Sequence, residues 1–386
     1  MRLLHTSDWH LGRTLGPFSR HAEQVAALDA LVDVASTVDA VLISGDIFDS
    51  PNPPIAAEEL FFDALARLGD RGRRAVVVIA GNHDAPDRIL APRALAAAHG
   101  ALLFGRPGDR PRLDPGLPVR LTSAGSGRAE LALPSGRLAV HALAFPSESR
   151  LRTIVAPDLS DEADARQRYA ARVAAALAPV PQEPGLLRVG ISHLHVTEAT
   201  LGTSERAFVG GAWQVPASSL PAFDYLALGH VHRAQAVAPA AWYSGTPFAL
   251  RMDERTDPHG HLLITAEPGA PPRVETVPCG AGRPLVRVEV PDVAAVCMRE
   301  AELKGAYVEI VLSRPPPSED LIALRKLPLD IVRVRVNATP NDGGPIEDRS
   351  GMSDEALFRL WVRETGGGAA DESLVTLFLA LMGRAP

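Results

Sequence analysis

Thiols are almost absent from this chain. Its 386 residues include only Cys279 and Cys297, at a spacing that fits no zinc motif. No disulfide framework is expected, and a reducing compartment is. Long apolar runs are missing as well: no stretch approaches the ~20 residues needed to cross a bilayer. The opening "MRLLHTSDWH" has no apolar segment ahead of its polar residues, so no signal peptide is expected and the chain reads as cytoplasmic. There is no G-x-x-x-x-G-K-[ST] phosphate loop, so any use of ATP belongs to a partner. Lysine is scarce too: Lys304 and Lys326 are the only two among 39 basic side chains. A net charge of −7 argues against a surface coated in basic residues, yet leaves room for a local positive groove that holds a polyanion.

What is present is an alternating pattern. "RLLHTS", "DAVLIS" and "AVVVIA" read as strands, separated by helical patterns over "SRHAEQVAALDALVDVAS" and "PPIAAEELFFDALARLG". That order predicts an α/β domain that starts with a largely parallel sheet. Residues 105–140 switch to turn-rich alternating runs such as "RAELAL" and "RLAVHALAF", which read as antiparallel strands. A helix over "EADARQRYAARVAAALA" and strands at "LLRVGIS", "YLALG", "AWYSG" and "HLLITA" carry this region to about residue 276. The pattern then restarts as a compact βαβαβ unit over 284–337, and two helical segments follow in 352–386. Ser353 and Asp371 stand where N-caps are expected, and Gly366 and Gly383 where helices stop.

Five apolar strands end in polar clusters. These are Asp8-Trp9-His10; Gly45-Asp46-x-x-Asp49; Gly81-Asn82-His83-Asp84; His193 with His195 close behind; and Gly229-His230-x-His232. Each alone is an ordinary turn. Ligands gather at the carboxyl ends of strands in open α/β sheets, so together the five can converge on one site. Carboxylate, imidazole and amide oxygen without thiolate suit Mn²⁺, Fe or Zn²⁺. Two such cations roughly 3.5–4 Å apart would clamp both oxygens of an in-line displacement at phosphorus and activate a water. The expected chemistry is phosphoester hydrolysis.

These motifs resemble the calcineurin-like metallophosphoesterase superfamily. "HTSDWHLGR", "GDIFDSPNPP", "AGNHD" and "LALGHVHRAQ" are closer to one branch of it, the SbcD family. The resemblance covers residues 1 to about 276. It implies a metallophosphoesterase β-sandwich flanked by helices (1–276), a small α+β capping domain (284–337) and a C-terminal helical partner-binding tail (352–386). It further implies a metal-dependent DNA exonuclease and endonuclease that works with an SbcC-type ATPase in DNA repair and recombination. One metal would be held by Asp8, His10, Asp46 and His232, and the second by Asp46, Asn82, His193 and His230, with Mn²⁺ the expected ion. His83 would contact the scissile phosphate and protonate the leaving oxygen, and Asp49 would orient it. A homodimer is implied through the helices that follow motifs two and three.

Other readings stay open at this stage. His195 lies two residues beyond His193, on the same side of an extended segment, and competes with it as ligand. Asp84 can be structural. His5 and His141 read as core or strand histidines, and His21 as solvated. Arg13 and Arg20 can touch phosphate or form surface ion pairs. The loop "GRPGDRPR", with Arg106, Arg110 and Arg112, is a candidate DNA contact or a solvated loop. Leu60, Phe61, Ala64, Leu65 and Leu68 read first as sheet packing. Leu357, Leu360 and Trp361 form one helical stripe, and Leu374, Val375, Leu377, Phe378, Leu379, Leu381 and Met382 make the last helix apolar on most sides. Such a helix buries itself against another chain or docks back on its own. A phosphatase or phosphodiesterase acting on a small molecule is the rival function, since scaffold and metal site do not choose the substrate.

Overall fold

The computed structural model describes residues 1–154, 165–202, 213–337, 353–364 and 371–381. They fall into two units, Met1–Val336 and Asn337–Pro386. Two sheets dominate the first. One runs in the order Arg273–Pro278, Gly260–Thr265, Arg2–Thr6, Ala40–Ile43, Ala75–Ile79, Ala101–Phe104. Its last four strands are parallel, as the alternating pattern predicts, and Ala75–Ile79 is buried along its whole length. Parallel strands covered on both faces read as unbroken apolar runs for that reason.

The second sheet runs Gln235–Ala238, Ala241–Tyr243, Tyr225–Gly229, Leu186–His193, Gly136–Leu143, Arg128–Leu133, Arg120–Gly125. The expected antiparallel strands of residues 120–143 form one flank, and its centre is parallel. Period-two alternation divides its side chains. Val189, Ile191, Tyr225 and Ala227 enter the main core with Leu4, Val41 and Val77 of the first sheet. Leu226 and Leu228 turn the other way, onto Tyr169 and Val173 of the helix Ala165–Ala176. The result is a sandwich of two sheets sharing one apolar core, with helices outside. Helix Ile55–Gly69 lays Leu60, Phe61, Ala64, Leu65 and Leu68 into that core, so sheet packing accounts for that face.

Residues 285–336 form a separate three-stranded parallel sheet, Leu285–Val290, Tyr307–Leu312 and Asp330–Val336, with its own core of Val288, Val296, Val308, Ile310 and Leu324. The βαβαβ order is the one read from the sequence. Its first helix is divided into Val293–Met298 and Glu300–Leu303 at Arg299, where φ is −103° and ψ 8°. In the second unit, helices Asp354–Glu364 and Glu372–Leu381 are held by stacking of Phe358 on Phe378 at 4.2 Å. Ser353 accepts from Ala356 N–H at 3.2 Å, the expected N-cap. Gly366, Met382, Gly383 and the side chains of Leu377 and Leu381 lie outside the described residues. Among the described residues, no helix is long and apolar enough to cross a membrane.

Candidate metal centre

Strand register brings the five polar clusters to one end of the sandwich. Thr6 pairs with Ile43 and Ile43 with Val78 in the first sheet, while His193 is level with Gly229 in the second. Past these ends the chain turns sharply. Asp8, His10, Asp46 and His230 all have positive φ, at 54°, 45°, 49° and 103°. A non-glycine residue held there costs on the order of 1–2 kcal/mol. Main-chain bonds hold the turns: Asp8 N–H donates to Gly45 C=O at 2.9 Å and His10 N–H to Asp46 C=O at 3.1 Å. Two motif glycines are required by close approach. A Cβ on Gly81 would stand 2.1 Å from Asp46 Oδ1, and one on Gly229 2.0 Å from the Ser44 carbonyl oxygen.

The side chains then converge. Asp46 Oδ1 accepts from His83 N–H at 2.9 Å. Its Oδ2 stands 3.7 Å from His10 Nε2 and 3.4 Å from His193 Nε2, between the two rings. Asn82 Oδ1 lies 3.0 Å from both His193 Nε2 and His230 Nδ1. Both Asp8 oxygens lie 3.2 Å from His230 N–H, and the carboxylate also accepts from the Ser7 hydroxyl. Possible ligand atoms of Asp8, His10 and His232 lie within 4.8 Å of one another, and so do those of Asp8, Asp46 and His193.

A further ring of groups orients these side chains. Glu254 places Oε1 2.8 Å from His232 Nδ1 and accepts from Leu250 N–H, at 2.8 Å, on Oε2. Burial alone would raise the Glu254 carboxyl, but the His232 ring and the Leu250 amide overcome it and hold it at about 2. Nothing in "RMDERTDPHG" marks Glu254 apart from its acidic neighbours, so sequence reasoning passes over it. Asp84 accepts main-chain N–H groups of Gly81, Ile47 and Phe48 at 2.8–3.1 Å, tying the second and third motif loops together. That is the structural role. Burial and the nearby Asp46 charge raise its carboxyl to about 6.

Asp49 meets His83 through its main chain. Its carboxylate faces His10 Nδ1 at 3.2 Å and Arg13 at 2.6 Å, and His83 Nδ1 instead meets the Asp49 main-chain carbonyl at 2.9 Å. Ligand atoms of His10, Asp49 and His83 lie within 4.8 Å of one another, so the Asp49 side chain stands beside both rings while its main-chain carbonyl engages His83 Nδ1.

The donor set itself asks for a cation. The Glu254 carboxylate accepts only, so His232 carries its proton on Nδ1, and the Asp49 carboxylate stands 3.2 Å from His10 Nδ1. Burial, outweighing the nearby carboxylates, lowers the His10 pKa and keeps its ring neutral. The Nε2 atoms of His10 and His232 stand 3.3 Å apart, a separation that suits two nitrogens on one cation. On the other side, burial would lower the His193 pKa, but the Asp46 charge overcomes it and raises it to about 9. His193 Nδ1 donates to the Ser44 carbonyl at 2.8 Å, which aims Nε2 at Asp46 and Asn82. The residues present fit divalent cations.

Between the competing histidines, His193 faces Asp46, whereas His195 starts a new short strand, His195–Val196, and lines the adjoining cavity. His5 and His141 are buried, His5 between Tyr225 and Ser44, and His21 is exposed. Arg20 reaches no phosphate site: it is buried against Glu23, Phe248 and Tyr307. Arg106 is paired with Asp87 at 2.8 Å, and Arg110 and Arg112 line a small hollow apart from the cluster. The arginines near the site are others. Arg13, Arg251, Arg287, Arg333 and Arg335 line a cleft of about 590 Å³ around Glu309, which pairs with Arg287 at 2.8 Å and Arg335 at 3.0 Å, and Arg251 also borders the metal cavity.

Residues 1–121 match the calcineurin-like phosphoesterase family. The chain is 35% identical to the SbcD subunit of the SbcCD nuclease from Bacillus subtilis (strain 168), over 99% of this chain and 97% of that one. It is 32% identical to the protein of the same name from Rhodobacter capsulatus, with 93% of each covered. For the Escherichia coli K12 protein the figure is 30%, over 74% and 70%. The chain belongs to the SbcD family of SbcCD nuclease subunits, built on a calcineurin-like phosphoesterase domain.

Proposed function

We propose that the chain is a metal-dependent nuclease that hydrolyses DNA phosphodiesters together with an SbcC-type ATPase subunit. The observation that carries this reading is the convergence of carboxylate, amide and imidazole groups from five strand ends, with the Nε2 atoms of His10 and His232 3.3 Å apart. Two divalent cations are expected, Mn²⁺ foremost: one on Asp8, His10, Asp46 and His232, the other on Asp46, Asn82, His193 and His230. When bound, such ions neutralise phosphoryl oxygens and lower the pKa of a water.

The chain supplies the rest. Asp46, with Oδ2 set between His10 and His193, would hold both ions. Asp84, Glu254 and Asp49 fix the loops and rings that carry the ligands. His83 borders the cavity, and its Nδ1 is engaged by the Asp49 carbonyl. That leaves Nε2, which carries the second proton when the ring is an imidazolium, to deliver it to the leaving oxygen while Nδ1–H stays on the Asp49 carbonyl. Exonuclease action on duplex ends and endonuclease action on single strands belong to the same site. The Arg333–Arg335 cleft offers the phosphate backbone a track toward it.

Residues 284–337 act as a capping domain beside the nuclease domain of residues 1–276, and residues 352–386 as the tail that binds the ATPase. Exposed Leu357, Trp361 and Leu374, with an open apolar hollow between Leu357, Phe358, Trp361 and Phe378, support the tail's role. Exposed Ile55, Phe62 and Leu95, on the helices after motifs two and three, support a homodimer. The test is cleavage of linear duplex and of p-nitrophenyl phosphate by EDTA-treated protein with Mn²⁺ restored and the ATPase subunit added. Cleavage of DNA in excess over the small ester supports the nuclease; the reverse order favours a small-molecule phosphatase.

A further inference from the structure

The cavity beside the metal ligands, about 310 Å³, has two unlike halves. Asp46, Asn82, His83, His230 and His232 line one. The other is built mainly from Phe145, Tyr169, Leu194, Leu201 and Trp213, with His195, Gln214 and Arg251 also on the wall. Hydrolysis at phosphorus gives the second half no task, because apolar walls neither hold a cation nor stabilise a phosphoryl oxygen. A charged lining joined to an aromatic and apolar one matches the two halves of a nucleotide. With the phosphate at the metal ligands, the base or sugar next to it falls against the aromatic wall.

Trp213 is the exposed member of that wall. Its indole is 44% exposed although it borders a cavity, while Tyr169, buried in the second core, stands edge-on to it at 5.4 Å and 77°. Tyr169 thus backs the indole and leaves much of its surface open. Volume limits the occupant. The cavity lies at the small end of the roughly 300–1,000 Å³ typical of small-molecule sites, enough for a nucleoside and far too little for a duplex. A base inside a duplex is paired and stacked, so only an unpaired one can enter.

We propose that Trp213, backed by Tyr169, stacks on the nucleobase flanking the scissile phosphate, so that the site takes an unpaired nucleotide and prefers single strands and frayed ends to closed duplex. The inference rests on the nuclease reading and adds its substrate geometry.

The test pairs a change in the protein with a change in the substrate. The full chain with its ATPase subunit, wild type or Trp213→Ala, is given single-stranded oligonucleotides in Mn²⁺, with either a normal nucleotide or a tetrahydrofuran abasic residue beside the cleaved bond. On the normal strand Trp213→Ala raises KM roughly tenfold to a hundredfold with kcat little changed, and Trp213→Phe restores most of it. On the abasic strand wild type is as poor as the variant, and the substitution has no further effect. Fluorescence anisotropy in EDTA gives the same pattern in binding, independent of cleavage. Equal losses on both strands, or no loss on either, would overturn the stacking role while leaving the nuclease reading intact. Wild-type protein that cleaves neither strand would overturn both.

Discussion

Glu254 is the residue on which the metal centre can be tested without touching a ligand. Its carboxylate, buried and held at about 2, is charged at any working pH and fixes His232 through Nδ1 at 2.8 Å. Glu254→Gln keeps the shape and removes the charge. The new amide offers one oxygen and one NH₂ to two donors, the His232 ring N–H and Leu250 N–H. One buried donor then faces another, at a cost of about 1–3 kcal/mol. The His232 ring also loses the anionic partner that makes it a better ligand. Partners of this kind contribute about tenfold to a hundredfold in metal affinity, or about 1.4–2.7 kcal/mol. Calorimetric titration of the stripped protein with Mn²⁺, together with cleavage rate against Mn²⁺ concentration, reads both effects. The expected result is a Kd raised by that factor, with activity recovered to within a few-fold at saturating Mn²⁺. An unchanged Mn²⁺ affinity would refute the assignment of Glu254 and the proton placement that depends on it.

Further outcomes follow from other contacts. Gly81→Ala drives a Cβ onto Asp46 Oδ1 and is expected to lower Tm and Mn²⁺ affinity together, by about 1–3 kcal/mol in stability; a variant with wild-type Mn²⁺ affinity contradicts this. Burial pushes His141 down to about 4, so the folded state resists its protonation. The unfolded chain takes that proton near 6.5, and stability present above pH 6.5 is lost as pH falls toward 4, by up to about 3 kcal/mol. Urea unfolding at pH 7 and pH 4.5 is expected to show a smaller difference for His141→Gln than for wild type. Neutralising Arg333 and Arg335 is expected to flatten the salt dependence of DNA binding, whereas neutralising Arg106, Arg110 and Arg112 leaves it unchanged; the opposite order would move the DNA path to that loop.

The parts of the fold legible in the sequence are those where one local rule dominates. "AVVVIA" and "DAVLIS" are buried on both faces and read as strands without tertiary information. The glycines that follow them mark where the His193 ring (at Gly45) and the Asp46 carboxylate (at Gly81) approach too closely for a Cβ. Period two could not separate His193 from His195, because it places both on one side. The chain breaks that rule at Leu194, where one strand ends and another begins. Left-handed φ at Asp8, His10, Asp46 and His230 is fixed by long-range contacts, not by local preference. Nor does a sequence distinguish the carboxylate of Asp49 from its carbonyl. Glu254 is 22 residues beyond its partner, in a charged loop, and only the turn after Leu250 brings it back.

The most direct measurement compares wild type with His83→Ala on end-labelled linear duplex DNA, with the ATPase subunit, in Mn²⁺, Mg²⁺ or EDTA. Bound metal is counted in both proteins. The account predicts Mn²⁺-dependent shortening from the ends by wild type, none in EDTA, and none by His83→Ala despite an unchanged metal content. Cleavage that persists in His83→Ala, or loss of the metals along with activity, would contradict the role given to His83. Cleavage by wild type in EDTA would contradict the metal-dependent chemistry itself.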